Sequence, residues 1–186
     1  MFGLILSLLV FSSLPTQTTS SAYDDADAYA VYAAILPSEW PLRGAHAKQL
    51  VIRRETKPFK MCLKPASERE AKAEPAIANY IKLNERKWLL QPMLSFATPY
   101  QFLETLRFDG LISQGRYDEY YRQYPESGGL IEFSAVGFNM DKTVAVVYMG
   151  HSCGPLCGGG SFHVLEKIES NWKEFEWNGS SCAWAA

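Results

Sequence analysis

The sequence predicts an α+β fold: N-terminal helices packed on a C-terminal four-stranded antiparallel meander. Three observations point there. Apolar residues recur at helical spacing through much of the first two-thirds of the chain, and from Leu130 the texture changes to alternation. The last apolar runs are separated by short polar turns, which join antiparallel neighbours.

The elements follow in order. Residues 2–11 (FGLILSLLVF) are an unbroken apolar run, too short to span a bilayer but suited to the hydrophobic region of a signal peptide. Ser20-Ser21-Ala22 offers small residues for cleavage before Tyr23, so 1–22 reads as a signal peptide and 23–186 as a single domain. Asp24 and Asp25 can cap a helix with Ala28, Val31, Tyr32, Ile35 and Leu36 on one face, ended by Pro37 and Pro41. Residues 49–56 (QLVIRRET) read as a strand near an edge. Residues 64–74 are polar, contain Pro65 and read as a loop. Pro75 opens a helix carrying Ile77, Tyr80, Ile81 and Trp88.

Thr98-Pro99-Tyr100-Gln101 has the form of a capping box, predicting a helix with Phe102, Leu103 and Leu106 inward and Gly110 at its end. Tyr117, Tyr120, Tyr121 and Tyr124 recur at helical spacing. They suit either a helix lying on a sheet or a tyrosine-rich contact surface. Ile131, Phe133 and Ala135 begin a strand running to Phe138, and Asn139-Met140-Asp141-Lys142 is a turn. The β-branched and aromatic run 143–149 (TVAVVYM) predicts a central strand buried on both faces. Strands at 162–168 and 172–177 complete the meander.

Composition narrows the class of function. The 18 basic and 20 acidic side chains leave a net charge of −2, with no basic cluster to serve nucleic acid or an anionic membrane. An even number of cysteines behind a leader reads as two disulfides in a secreted or periplasmic protein. Four cysteines allow three pairings. Cys153 and Cys157 form the natural local pair, leaving Cys62 with Cys182, a closure that stabilises by about 4–5 kcal/mol.

The stretch 150–161 (GHSCGPLCGGGS) carries whatever chemistry there is. Its five glycines in twelve residues exceed what a hairpin turn needs, so it reads as a shaped loop. A disulfide between Cys153 and Cys157 is the leading explanation. Three sharper readings stand beside it: a zinc site of His151, Cys153, Cys157 and His163, a redox-active dithiol, and a cysteine nucleophile activated by His151 or His163. C-G-P-L-C has one residue more than a C-x-x-C redox motif, and an even cysteine count leaves no free thiol. Phosphate-loop, nucleophile-elbow, H-E-x-x-H and calcium-loop signatures are missing, and His46 sits in a polar stretch with no evident role. Asn178-Gly179-Ser180 fits an N-glycosylation acceptor.

The block Tyr124-Pro125-Glu126-Ser127-Gly128-Gly129, the run Phe133-Ser134-Ala135-Val136-Gly137-Phe138-Asn139 and the Gly-His-Ser-Cys-Gly-Pro-Leu-Cys-Gly-Gly-Gly stretch resemble a group of uncharacterised exported bacterial proteins. The resemblance implies an exported α+β domain and no activity.

The expectation is therefore a disulfide-stapled module that binds a protein or small-molecule ligand rather than turning over a substrate. Its contact residues are His151, Ser152, Gly154, Pro155, Gly158, Gly159 and Gly160, with no cofactor, no nucleic-acid partner and no membrane span after signal cleavage. The alternative is a metal- or thiol-dependent enzyme centred on His151, Cys153, Cys157 and His163.

Overall fold

The computed structural model of the chain describes residues 20–36 and 48–185. The apolar leader run, Pro37, Pro41 and His46 lie outside the described residues. The expected cleavage point before Tyr23 falls inside the first strand, β1 (Ser21–Tyr23).

Helix α1 (Ala26–Ile35) follows, with the Asp25 carboxylate accepting from the Asp27 N–H as an N-cap should. Its predicted inward residues, joined by Tyr29, are buried. Strand β2 (Gln49–Arg53) comes next. The polar stretch expected to be a loop contains a one-turn helix, α2 (Glu68–Ala71), capped by the Ser67 hydroxyl. Helix α3 (Glu74–Leu83) has Pro75 in its first turn, but Trp88 belongs to a strand, β3 (Trp88–Leu90), parallel to β1.

The helix expected from Thr98 is not formed. Residues Tyr100–Leu103 are instead strand β4, and α4 (Thr105–Leu111) begins after it. A capping box is a local preference. Here the Pro99 carbonyl accepts from the Leu50 N–H (2.8 Å), and the next four residues pair in parallel with β2. That places Leu103 on one face and Phe102 on the other, so both are screened from water to an extent one helical face would not allow.

Helix α5 (Tyr117–Gln123) leads into β5 (Ser127–Phe133), β6 (Gly137–Phe138), β7 (Val144–Gly154), β8 (Cys157–Ile168), β9 (Asn171–Glu174) and β10 (Ala183–Ala185). The run expected as one strand from Leu130 to Phe138 breaks at 134–136. There the Ala135 and Val136 N–H groups donate to Asn84 Oδ1 (3.0 Å) and Tyr23 Oη (2.9 Å), not to a strand. The expected turn at 139–142 is present, with Lys142 at φ 51°.

These strands overturn the predicted architecture. Eight of them form one mixed sheet, ordered β10-β8-β7-β5-β2-β4 along its main path, with β6 beside β7 and β9 beside β8. Segments ahead of the expected meander supply β2 and β4, and β2 lies between β4 and β5, parallel to both, not at an edge. Nor are the helices confined to one face. Ala145, Val147 and Met149 of β7 join Ile131, Phe133 and α1 in one core. From the opposite face, Val146 and Tyr148 pack with α3, and Val51 and Leu130 pack with α4 and α5. A central strand that is apolar on both faces requires cover on both faces, and this sheet receives it.

The C-terminal tail is tied down by one buried carboxylate. Glu70 accepts from the backbone N–H of Ala66 (2.6 Å), Asn178 and Gly179 (3.1 Å). These bonds, the one from Ala66 foremost, hold its carboxyl below the usual carboxylate range. A folded-state pKa below the unfolded one contributes stability that is complete above the unfolded value, about pH 4.3, and is lost as pH falls through the folded value. Glu70→Gln should therefore flatten the acid limb of a Tm-against-pH profile. An unchanged slope between neutral pH and pH 3 would contradict the role given to Glu70.

Candidate functional site

The stretch predicted as a shaped loop is two paired strands. The β7–β8 ladder runs without a loop to Ser152↔Gly158, bulges, and closes at Gly154↔Cys157, leaving only Pro155 and Leu156 as turn residues. The glycines answer to neighbours, not to turning. A Cβ on Gly160 would stand 2.1 Å from Tyr148 Oη and 2.8 Å from Trp184 Nε1, and one on Gly158 would meet the His151 carbonyl oxygen at 2.7 Å. Trp184 lies against these glycines and donates from Nε1 to Tyr148 Oη at 2.6 Å. Tyr148 cannot retreat, because its buried ring stacks on Phe59 with centroids 4.2 Å apart. Gly160→Ala should therefore displace Trp184 and cost about 1–3 kcal/mol. Urea unfolding and the tryptophan emission maximum read both effects, and a fully stable variant would refute the packing argument.

Both disulfides pair as expected from the cysteine arithmetic. Cys153 and Cys157 (Cα–Cα 5.0 Å) close the hairpin end, and Cys62 and Cys182 (Cα–Cα 6.0 Å) fix the residue just before β10. The tip is braced from α5 too, since Tyr121 Oη donates to the Cys153 carbonyl at 3.0 Å. Tyr120 and Tyr124 are buried in the core behind it, so α5 is a helix lying on the sheet.

On the opposite face of the hairpin is a cavity of about 300 Å³. Met149, His151 and the Cys153–Cys157 pair line one side, Gly159 and Ser161 the floor, and Ala183 and Ala185 the other side. The register explains the grouping: His151↔Gly159↔Ala185 and Met149↔Ser161↔Ala183 are alternate rows across three strands, so they share one face. Small residues in those rows leave a hollow where side chains would otherwise fill the sheet face. Of the expected contact residues, His151, Gly158, Gly159 and Gly160 border the cavity, while Ser152, Gly154 and Pro155 do not. His151 is buried, with Nε2 at 2.9 Å from the Gly128 carbonyl.

The metal and thiol alternative meets a different arrangement. All four cysteines are disulfide-bonded, so neither Cys153 nor Cys157 presents a thiolate. His151 faces Gly159 and His163 faces Val147, four ladder rows apart, which is about 13 Å along a strand. Among the described residues no group of three or more His, Cys, Asp or Glu side chains is placed to hold a metal ion.

His163 belongs to a different constellation. Its Nε2 lies 3.3 Å from Ser161 Oγ, and its Nδ1 is hydrogen-bonded to Glu174 Oε1. His163 is mostly buried and Glu174 mostly exposed, and the histidine contact holds the Glu174 carboxyl below the usual carboxylate range. In the neutral imidazole, a carboxylate at Nδ1 favours the proton on that nitrogen, which leaves Nε2 to accept from the serine hydroxyl. The i, i+2 spacing of Ser161 and His163 on a strand is a signal that could have joined these two. Glu174, from the next strand, carries none.

Compared with protein-family models, curated proteins and solved structures, the chain matches none.

Proposed function

We propose that the protein is an exported binding module that takes a small ligand with an apolar body in the cavity beside the Cys153–Cys157 hairpin. The observation that carries this reading is the cavity itself. A hollow of about 300 Å³ falls at the lower end of small-molecule sites, roughly 300–1,000 Å³. It lies between two strands each secured by a disulfide, so it is preformed and a ligand need not order its walls. The polar side chain at its border, Ser161, suits a ligand with one hydrogen-bonding end. Export is supported by the apolar leader run, by the resemblance to exported bacterial proteins and by the two disulfides. Among the described residues no helix is long and apolar enough to cross a membrane.

The test is a fluorescence titration with an anilinonaphthalene sulfonate probe. Native protein should bind one equivalent saturably, and Ala183→Phe, which fills the cavity from its wall, should abolish binding without unfolding. Replacing Cys153 and Cys157 together by serine should also abolish binding while costing only about 2 kcal/mol, because their loop is short. Probe binding that survives Ala183→Phe would overturn the reading.

A further inference from the structure

We infer that Ser161 is a nucleophile, activated by His163 and oriented through Glu174, that accepts the acyl group of small activated esters bound in the adjoining cavity. The inference rests on the proposed cavity for where the acyl group lies, and its chemistry comes from three side chains no thiol or metal reading joined.

The geometry meets the requirements of base-assisted nucleophilic attack in order. Ser161 lines the cavity a substrate would enter. His163 Nε2 stands 3.3 Å from Ser161 Oγ, within the looser range of a base awaiting substrate. His163 Nδ1 is held by Glu174 on β9, which orients the ring and stabilises the imidazolium that forms when Nε2 takes the proton. Three strand positions hold the line: Ser161 and His163 share one face of β8, and Glu174 reaches them from the neighbouring strand through the Leu165↔Glu174 register. No helix or flexible loop is needed.

The step balances with the ester alone. The Ser161 oxygen forms a bond to the acyl carbon, the serine proton passes to His163 Nε2, and the bond from acyl carbon to alkoxide or aryloxide breaks as that group takes the proton from His163. The product is an acyl-Ser161 ester and a free alcohol or phenol. Water returns the serine by the same route.

One part is missing, and it defines the kind of reaction expected. Ser161 is flanked on both sides by paired strands, facing Met149 and Ala183. Backbone N–H groups in a sheet point along the ladder, not into the face, so none is aimed at an oxyanion over Ser161. Each oxyanion donor contributes about 10²–10³ in rate. The site should therefore acylate slowly and only with good leaving groups, so it is expected to be seen as a covalent adduct before it is seen as turnover.

The experiment uses the full-length protein with p-nitrophenyl butyrate and, separately, a fluorophosphonate reagent, read by intact mass and peptide mapping. One butyryl or phosphonyl group should appear, on Ser161. Ser161→Ala should remove it. His163→Gln should slow labelling by about 10²-fold or more. Glu174 is a positioning residue: Glu174→Gln should slow labelling and lower its yield at equal probe binding, and Glu174→Asp should restore most of it. Absence of an adduct on native protein, an adduct on another serine, or equal labelling in His163→Gln overturns the inference. If the probe binds and Ser161 does not label, the nucleophile falls and the binding reading stands. If Ser161 labels and the probe does not bind, the reverse holds.

Discussion

Replacing Cys62 and Cys182 together by serine should lower the unfolding free energy by about 4–5 kcal/mol, the largest effect expected of any local change in this chain. The bridge spans 120 residues, so in the loop-closure view it removes much of the freedom of the unfolded chain. Its native-state role is equally specific. The segment before β10 is held by the Lys64↔Ser180 bridge, by Trp177 Nε1 donating to the Ser180 carbonyl at 3.1 Å, and by the Glu70 carboxylate. β10 itself is three residues long and exposed, pairing among the described residues with Ser161, Gly160 and Gly159. Without the disulfide a strand that short has little to keep it on an edge. Two readouts should therefore move together. The urea midpoint falls, and amide exchange at 183–185 rises well beyond the change elsewhere. Because Ala183 and Ala185 form one wall of the cavity, probe binding should be lost as well. A double variant that unfolds earlier yet keeps full probe affinity would show that β10 is not needed for the site.

The second large effect concerns a buried carboxylate on the side of the sheet covered by α4 and α5. Glu132 is 1% exposed and accepts from Arg53 Nη1 at 3.0 Å and Lys57 Nζ at 2.7 Å. Arg53 is itself 7% exposed, lies 3.8 Å above the Phe108 ring and has Glu55 as a more distant partner at 3.7 Å. Glu55 is also engaged by Lys87 at 2.9 Å, so it cannot fully compensate Arg53 alone. Glu132→Gln should cost about 3–5 kcal/mol, because it leaves a guanidinium buried without its carboxylate. Pairing that change with Arg53→Met should recover much of the loss, since removing both charges also removes the cost of burying them. The effect should depend little on salt. Lys48 with Glu126, at 73% and 52% side-chain exposure, supplies the contrast, and breaking it should change stability by less than about 1 kcal/mol. If Glu132→Gln proves as mild as a break in that surface pair, the Arg53–Glu132–Lys57 network does not stabilise the fold as argued.

The elements legible in the sequence are those whose reasons are local. Helix α1 has its cap, its 3.6-residue apolar rhythm and its buried face written in a dozen residues, and α5 follows from four tyrosines at helical spacing. The turn at 139–142 and the β-branched run of β7 are likewise readable. Cysteine arithmetic left three pairings, with Cys153 and Cys157 the natural local pair, and the fold that brings Cys62 beside Cys182 chooses among them.

Tertiary contact decided the rest. Tyr100–Leu103 has the cap of a helix and the neighbours of a strand, and the strand prevailed because β2 offers a parallel ladder and two buried faces. The parallel pairing of β2 and β4 joins segments about fifty residues apart, so no local period announces it, and with it the predicted meander gave way to a mixed sheet covered on both sides. The glycines at 150–160 read as a loop because nothing nearby shows that an indole 24 residues downstream lies against Gly160. The line from Ser161 through His163 to Glu174 depends on the β8–β9 register. A sequence records each residue's chemistry and local rhythm. Which distant strand lies alongside, and so which side chains meet, follows from burying apolar surface across the whole chain.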